Sequence, residues 1–287
     1  MVVLVTGANG QLGQSLQFIT KKHPNIEFVF CDSKQLDITN LKSVKQVFKQ
    51  FKPNFCINTA AYTAVDKAET EAEKATLINV IGPKNVAATC KEYNTILLHV
   101  STDFVFDGNQ NTAYTEDDVP NPTGIYGRTK LQGEQAIQST WKKHFIIRTS
   151  WVYSQFGNNF LKTMLRLAKE RDTISVVNDQ IGTPTNAVDL AEALIKICLS
   201  NNQQPITNNY GIYNFSNEGQ CSWYDFAKEI FNQNTISITL NSIPTTAFPT
   251  PAKRPSYSVL DKSKIKNTFS LEIKEWQISL KKCKNQF

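Results

Sequence analysis

Three groups of residues have types and spacings that could do chemistry. Tyr126-Gly-Arg-Thr-Lys130 sets a phenol and an ammonium four residues apart, and on a helix positions i and i+4 share a face. An ammonium beside a phenol favours the phenolate, lowering the tyrosine from its usual value of about 10 towards acid–base work at neutral pH. Ser101-Thr102-Asp103 follows the apolar run Thr95–Val100 and offers a hydroxyl that can hold a substrate oxygen beside that tyrosine. Gly7-Ala-Asn-Gly10-Gln-Leu-Gly13 is a G-x-x-G-x-x-G pattern directly after the apolar run Met1–Thr6. Its glycines permit a tight turn and close approach of backbone to a pyrophosphate, whose charge suits the unpaired N–H groups of a helix N-terminus.

A dinucleotide site needs a second anchor, and Asp32 supplies it. Asp32 lies 19 residues past Gly13, close to the spacing of the acid that binds the ribose hydroxyls. It favours NADH, because a 2′-phosphate would face a carboxylate. Ser33 and Lys34 follow at once and could hold that phosphate, so NADH and NADPH both stay open. Asp37-Ile38 could flank the adenine. Ala60-Ala61-Tyr62 follows the third expected strand, where strand ends face the cofactor.

These residues need a scaffold, and the pattern describes one. Strands are expected at Met1–Thr6, Ile26–Phe30, Phe55–Asn58, Thr95–Val100 and Phe145–Thr149. Helices are expected at Gln11–Lys22, Leu41–Phe51 and Gly124–Gln138, and helical patterns over Glu69–Tyr93 break near Gly82-Pro83. Short apolar strands alternating with helices argue for an α/β, Rossmann-type, doubly wound parallel sheet. Continuous runs such as Val-Val-Leu-Val suit strands buried on both faces. After Thr149 the texture changes. Helices are expected at Asn158–Glu170, Asp189–Leu199 and Ser222–Phe231, a strand at Ile174–Val177, and loops at Asn201–Asn209 and Pro244–Pro255. The division is therefore a dinucleotide-binding domain over 1–150 and a smaller, mainly substrate-binding domain over 151–287, with a soft boundary across which segments could return to the sheet.

Composition narrows the function classes. The chain has 287 residues, 40% hydrophobic and 20% charged, which excludes wholesale disorder. The longest clean apolar run, Met1–Val5, is too short to cross a membrane, and no secretory leader is expected. A cytoplasmic location follows. Of the net charge of +6, much lies between Lys262 and Phe287, where seven Lys face two Glu. That reads as the solvated face of a last helix carrying Trp276 and Leu280 inward, so no nucleic-acid partner is expected. Six scattered Cys without C-x-x-C spacing and only three His argue against zinc and against a disulfide framework. The cysteines read as buried and reduced.

The order of fingerprint, hydroxyl and Tyr/Lys pair resembles the extended short-chain dehydrogenases/reductases, and within them the dTDP-4-dehydrorhamnose reductases. The stretches that carry the resemblance are GANGQLGQ at 7–14, NTAAYTAVDKAE at 58–69, STDFVFDG at 101–108, YGRTKLQGE at 126–134, RTSWVY at 148–153, GNNFLKTMLRLAKE at 157–170, NDQIGTPT at 178–185 and PTPAKRP at 249–255. It implies that Tyr126 protonates the C4 oxygen of a 4-keto-6-deoxy sugar as a nicotinamide delivers hydride. Lys130 would tune Tyr126 and bind the nicotinamide ribose, and Thr102 would complete the triad. Gly10, Gln11, Leu12, Asp32, Asp37, Ile38, Ala60, Ala61 and Tyr62 would line the cofactor, with Gly7 and Gly13 shaping its turn. Asp103 and Trp151 would contact the sugar nucleotide, with Asn159, Arg148 and Arg254 as weaker candidates; an Arg fork suits a diphosphate.

Phe104 stands where the related dehydratases carry a Glu, and it has no proton to move, which disfavours dehydration. A UDP-linked sugar reductase or epimerase, and a non-catalytic regulatory subunit like that of methionine adenosyltransferase, are the alternatives. Some relatives bridge a dimer with magnesium through an acid on the first helix. Ser15 stands at that place here, so no metal is expected, and the protein is a monomer or a homodimer.

Overall fold

The computed structural model describes residues 1–203 and 209–284. The first half runs β1 (Val2–Thr6), α1 (Gln11–Ile19), β2 (Glu27–Cys31), α2 (Leu41–Phe51), β3 (Phe55–Asn58), α3 (Val65–Ala68), α4 (Ala72–Thr76), α5 (Gly82–Tyr93), β4 (Ile96–Thr102), α6 (Ile125–Thr140) and β5 (His144–Thr149). The second adds β6 (Val152–Tyr153), α7 (Phe160–Glu170), β7 (Thr173–Val177), β8 (Ile181–Gly182), β9 (Thr185–Asn186), α8 (Ala187–Gln203), β10 (Gly211–Asn214), β11 (Cys221–Ser222), α9 (Trp223–Asn234), β12 (Thr239–Ile243), α10 (Ser263–Phe269) and α11 (Trp276–Lys284).

The central sheet has six strands in the order β10-β5-β4-β3-β1-β2, and every pairing in it is parallel. The strand order reverses between β1 and β3, which opens a crevice at their C-terminal ends. Period-two alternation builds both layers. Val3 and Val5 face α1 and α8, packing with Leu16, Ile19, Leu190 and Leu194. Leu4 and Cys56 face α2 and α5, packing with Val44, Phe48 and Val86. Val3, Leu4 and Val5 are all fully buried, and each such side chain contributes about 1.5–3 kcal/mol. A third cluster, with Tyr153, Leu161, Ile174, Phe226, Ile230 and Trp276, is the core of the C-terminal unit.

Local chemistry sets the helix ends. Asn40 caps α2 by accepting from the N–H groups of Lys42 and Ser43. Ser222 and Asp225 form a reciprocal capping box at α9, satisfying N–H groups that the helix itself cannot.

Four sequence expectations need correction. Gly82-Pro83 does not break the helix: a wide π turn over Leu77–Ile81 leads straight into α5, with Pro83 in the first turn of that segment. Gly82 packs against Ile38: a Cβ there would lie 2.5 Å from Ile38 Cδ1, so that side chain would have to shift. α1 ends at Ile19 and tightens into a 3₁₀ turn, Thr20–Lys22. α8 continues to Gln203, where a loop was expected from Asn201; residues 204–208 of that loop lie outside the described residues. β12 was not foreseen. It pairs in parallel with β7, and its mostly exposed, polar residues carry no apolar run.

A segment from beyond residue 150 returns to the sheet. β10 adds to it beside β5, and α8 packs against α1 on its face. All six cysteines are buried and free. Among the described residues no helix is long and apolar enough to cross a membrane.

Candidate active site

The glycine turn joins β1 to α1 at the crevice. Gly7 has φ +69°, and a Cβ there would lie 2.8 Å from Ala60 N; a Cβ at Gly13 would lie 2.4 Å from Gly7 O. Both positions therefore require glycine. Gly10 is the N-cap of α1, without a side-chain cap and without an acid in the first turn. The leading N–H groups of α1, at Gln11, Leu12 and Gly13, thus have no side chain spent on them, and the helix dipole favours an anion there. Those features fit the pyrophosphate of a dinucleotide.

At the end of β2 the Asp32 carboxylate accepts from Lys34 N (2.9 Å), Gln35 N (3.0 Å) and Asn9 Nδ2 (3.0 Å). Those backbone N–H groups hold it below the usual carboxylate range. Asn9 was missed by the sequence reading; its signal is a polar side chain inside the glycine turn, within reach of the acid. Asp37 is largely occupied locally, accepting from Thr39 N and Thr39 Oγ1 at 2.9 and 2.8 Å. Ile38 is buried and packs in the α2/α5 core. Ala60 and Ala61 continue from β3, and Tyr62 is pinned by buried Asn79, which pairs with both its N–H and its C=O.

Across the crevice, β4 ends in Thr102, Asp103 opens the 3₁₀ turn that follows, and α6 carries Tyr126 in its first turn and Lys130 one turn on. Gly127 lets α6 approach: a Cβ there would lie 2.1 Å from Phe104 O. Phe104 packs edge-on against the Tyr126 ring at 5.5 Å. Burial pushes the Tyr126 phenol up to about 12; its hydrogen bond with Thr102 lowers it and the Asp103 charge raises it. Burial also brings the Lys130 ammonium down to about 8, against the pull of Glu134.

In this arrangement burial, not the ammonium, sets the phenol. Lys130 Nζ donates to Val100 O at 2.7 Å and makes no hydrogen bond to the phenol. Tyr126 is therefore protonated at neutral pH, as a proton donor must be.

Asp103 is also buried, which pushes it up to about 6 despite its bonds from Ser258 and Thr102. Between about pH 4 and 6 the folded state then holds more protons than the unfolded chain, so stability falls as pH rises through that window, by about 3 kcal/mol once complete. Asp103→Asn is expected to remove this slope and to be the more stable protein at pH 7.5. Denaturant unfolding between pH 4 and 8 checks it; an unchanged slope refutes the assignment.

The C-terminal unit closes the crevice. Trp151 has φ +46°, stacks on Trp223 at 3.6 Å, and touches Gly182, where a Cβ would lie 2.6 Å from its ring. Asn159 caps α7 through its Oδ1, while its Nδ2 donates to Gln11 Oε1 at 2.6 Å and to Ser154 O at 2.7 Å. Gln11 in turn donates to Val152 O, tying the glycine turn to the chain beside Trp151. Arg254 forms a two-pronged pair with Asp66 at 2.8 and 3.0 Å, beside a cavity of about 470 Å³ that Arg254, Gln180 and Phe248 line. Arg148 is fully buried against Glu134 and lies away from any ligand-accessible surface. A larger groove of about 900 Å³, between α1, α8 and residues 270–283, includes none of the expected site residues.

A dinucleotide cradle at the switch point of a doubly wound sheet, facing a Thr/Tyr/Lys set on β4 and α6, defines an extended short-chain dehydrogenase/reductase. Within that class the chain belongs to the family described as RmlD substrate binding domain, which it matches over residues 1–287. It is 44% identical to the dTDP-4-dehydrorhamnose reductase of Aggregatibacter actinomycetemcomitans, with 97% of each chain covered. The crystal structure of a dTDP-4-dehydrorhamnose reductase from Clostridium acetobutylicum superposes with a TM-score of 0.94 at 44% identity, covering 100% of this chain and 99% of that one. The Bacillus anthracis dTDP-4-dehydrorhamnose reductase, solved in complex with NADP, gives 0.94 at 40% identity with the same coverage.

Proposed function

We propose that the protein is a dTDP-4-dehydrorhamnose reductase, reducing the C4 ketone of dTDP-4-dehydro-6-deoxy-L-mannose to dTDP-L-rhamnose with NADPH or NADH, in the cytoplasm. The observation that carries this reading is the Thr102, Tyr126 and Lys130 set at the end of β4 and the start of α6, across from an uncapped helix N-terminus. A reduced nicotinamide, when bound, supplies the hydride. The chain does the rest. Gly7, Gly10, Gln11, Leu12 and Gly13 seat the pyrophosphate, and Asp32 with Asn9 receives the adenosine ribose. Asp37, Ile38, Ala60, Ala61 and Tyr62 wall the cofactor.

Thr102 holds the sugar O4, and Tyr126 gives its Oη proton to that oxygen as the alcohol forms. A phenol at about 12 is protonated at neutral pH and so has a proton to give, although burial makes it a weaker acid than a free phenol, and the Asp103 charge beside it favours reprotonation over a lasting phenolate. Lys130 keeps a fixed positive charge beneath. Trp151 and Asp103 line the sugar nucleotide, with Asn159 holding that wall to the glycine turn. Arg254 meets the diphosphate by leaving Asp66. The edge-on Phe104 ring supports reduction over dehydration, because it fills the place from which an acid would have to serve C5 and C6.

The test is loss of nicotinamide absorbance when the protein meets NADPH or NADH and the dTDP-linked 4-keto sugar generated in place. Oxidation with dTDP-L-rhamnose as product is expected. Turnover only with a UDP-linked ketone moves the substrate assignment; cofactor binding without turnover of either favours the non-catalytic regulatory role.

A further inference from the structure

His99 sits inside β4 with no exposed surface. Its Nε2 lies 3.4 Å from Lys130 Nζ, and its Nδ1 lies 3.0 Å from the Asn58 side-chain amide. Asn58 is in turn 2.6 Å from Thr6 Oγ1. Thr6, Asn58 and His99 come from β1, β3 and β4, three adjacent strands, and Lys130 comes from α6. Together they form one buried polar chain through the middle of the sheet. Polar groups so placed are costly unless each finds a partner, and an aliphatic side chain would fill the position of His99 without that demand.

Resting on the reductase reading, we propose that His99 is a positioning residue for Lys130: its neutral imidazole presents the Nε2 lone pair to the ammonium and, together with Val100 O, holds that charge beneath Tyr126. A lysine ammonium has three N–H donors and no acceptor. Val100 O and His99 Nε2 take two, which leaves the third for the site. An ammonium at Lys130 also fixes the polarity of the whole chain. Nε2 must accept, so Nδ1 carries the ring proton and requires an acceptor from Asn58. The amide then turns its oxygen to His99 and its Nδ2 to Thr6, an exchange that leaves its shape unchanged.

The surroundings keep the ring neutral. Burial, with the positive Lys130 and His144 nearby, holds the imidazole well below its ordinary value. From α6 the Glu134 carboxylate faces Lys130 and pulls against its burial. Glu134 is engaged by Arg148 and Ser101, so its charge steadies Lys130 without a direct bond.

Two measurements test this. The first needs no substrate. In ¹⁵N-labelled protein the His99 imidazole, assigned by its disappearance in His99→Gln, is expected to be neutral with its proton on Nδ1 from pH 5.5 to 7.5. A proton on Nε2, or an imidazolium, in that range overturns the proposal. The second is the pH profile of kcat for ketone reduction. His99→Leu removes the acceptor, and the alkaline limb is expected to move about one unit to lower pH, about a tenfold loss at the alkaline end, with KM for the sugar nucleotide unchanged. His99→Gln, whose side-chain oxygen can reach Nζ, is expected to restore the limb. A wild-type limb in folded His99→Leu overturns the proposal. Absence of turnover by the wild-type protein would instead strike the reductase reading and leave the tautomer measurement to decide this one.

Discussion

Tyr126→Phe is expected to lower kcat for ketone reduction by about 10³-fold, within the range that a positioned general acid contributes, while cofactor affinity stays within about twofold. The substitution removes one oxygen and leaves the ring that packs edge-on against Phe104, so α6 keeps its place. The lost group is a partly buried phenol hydrogen-bonded to Thr102 and pushed up to about 12. No other acid stands in its place: the Lys130 ammonium is directed inward at Val100 O and His99, and Asp103, at about 6, is ionised at neutral pH. Steady-state kinetics with NADPH, beside a fluorescence titration of cofactor binding, separates the two effects. A kcat within tenfold of wild type would show that the proton comes from elsewhere. A parallel loss of cofactor affinity would show that the phenol holds the nicotinamide rather than serving the ketone.

The parts of the site that were legible in the sequence are those that the backbone fixes locally. Gly7 and Gly13 are required within a single strand-to-helix turn. Tyr126 and Lys130 lie one helical turn apart, and Thr102 ends an apolar strand. What escaped was contributed by distant segments. Asn159 stands among the weaker substrate candidates, yet it caps α7 and its Nδ2 is spent on Gln11, 148 residues away. Arg254 reads as a diphosphate clamp, and its fork lies on Asp66, 188 residues away. His99 sits in an apolar run, where nothing announces a partner on α6. The electrostatics were only partly legible for a related reason: proximity in sequence says which face two groups share, whereas burial sets much of their titration. β10 and β12 escaped because one is four residues long and the other is mostly exposed, so neither shows the continuous apolar run that marked β1 and β4.

The largest expected effect on stability lies under the site, in the pair between Glu134 and Arg148. Arg148 Nη2 meets Glu134 Oε2 at 2.7 Å and Nε meets Oε1 at 3.1 Å, while Ser101 Oγ donates to Oε1 at 2.5 Å. Both charged residues are essentially unexposed, and Arg148 lies over the Phe106 ring at 5.1 Å. Removing one partner of such a pair strands the other, at about 3–5 kcal/mol, but the two halves are not equivalent. In Glu134→Gln the guanidinium keeps its charge at every accessible pH, and its Nη1 is already without a partner among the described residues. The full loss is therefore expected from pH 5 to 9. In Arg148→Met the stranded group is a carboxylate, which can take up a proton and become neutral. Its deficit is expected to be small in acid and to grow as pH rises, because the folded variant then binds a proton that the unfolded chain has released. Replacing both, Glu134→Leu with Arg148→Met, removes the stranded charge and is expected to recover much of the loss. Denaturant unfolding of the three variants across pH 4.5 to 8.5 reads all of this. Two single variants with the same flat deficit would mean that the pair acts through packing rather than charge, and that Glu134 is not the counter-charge that steadies Lys130.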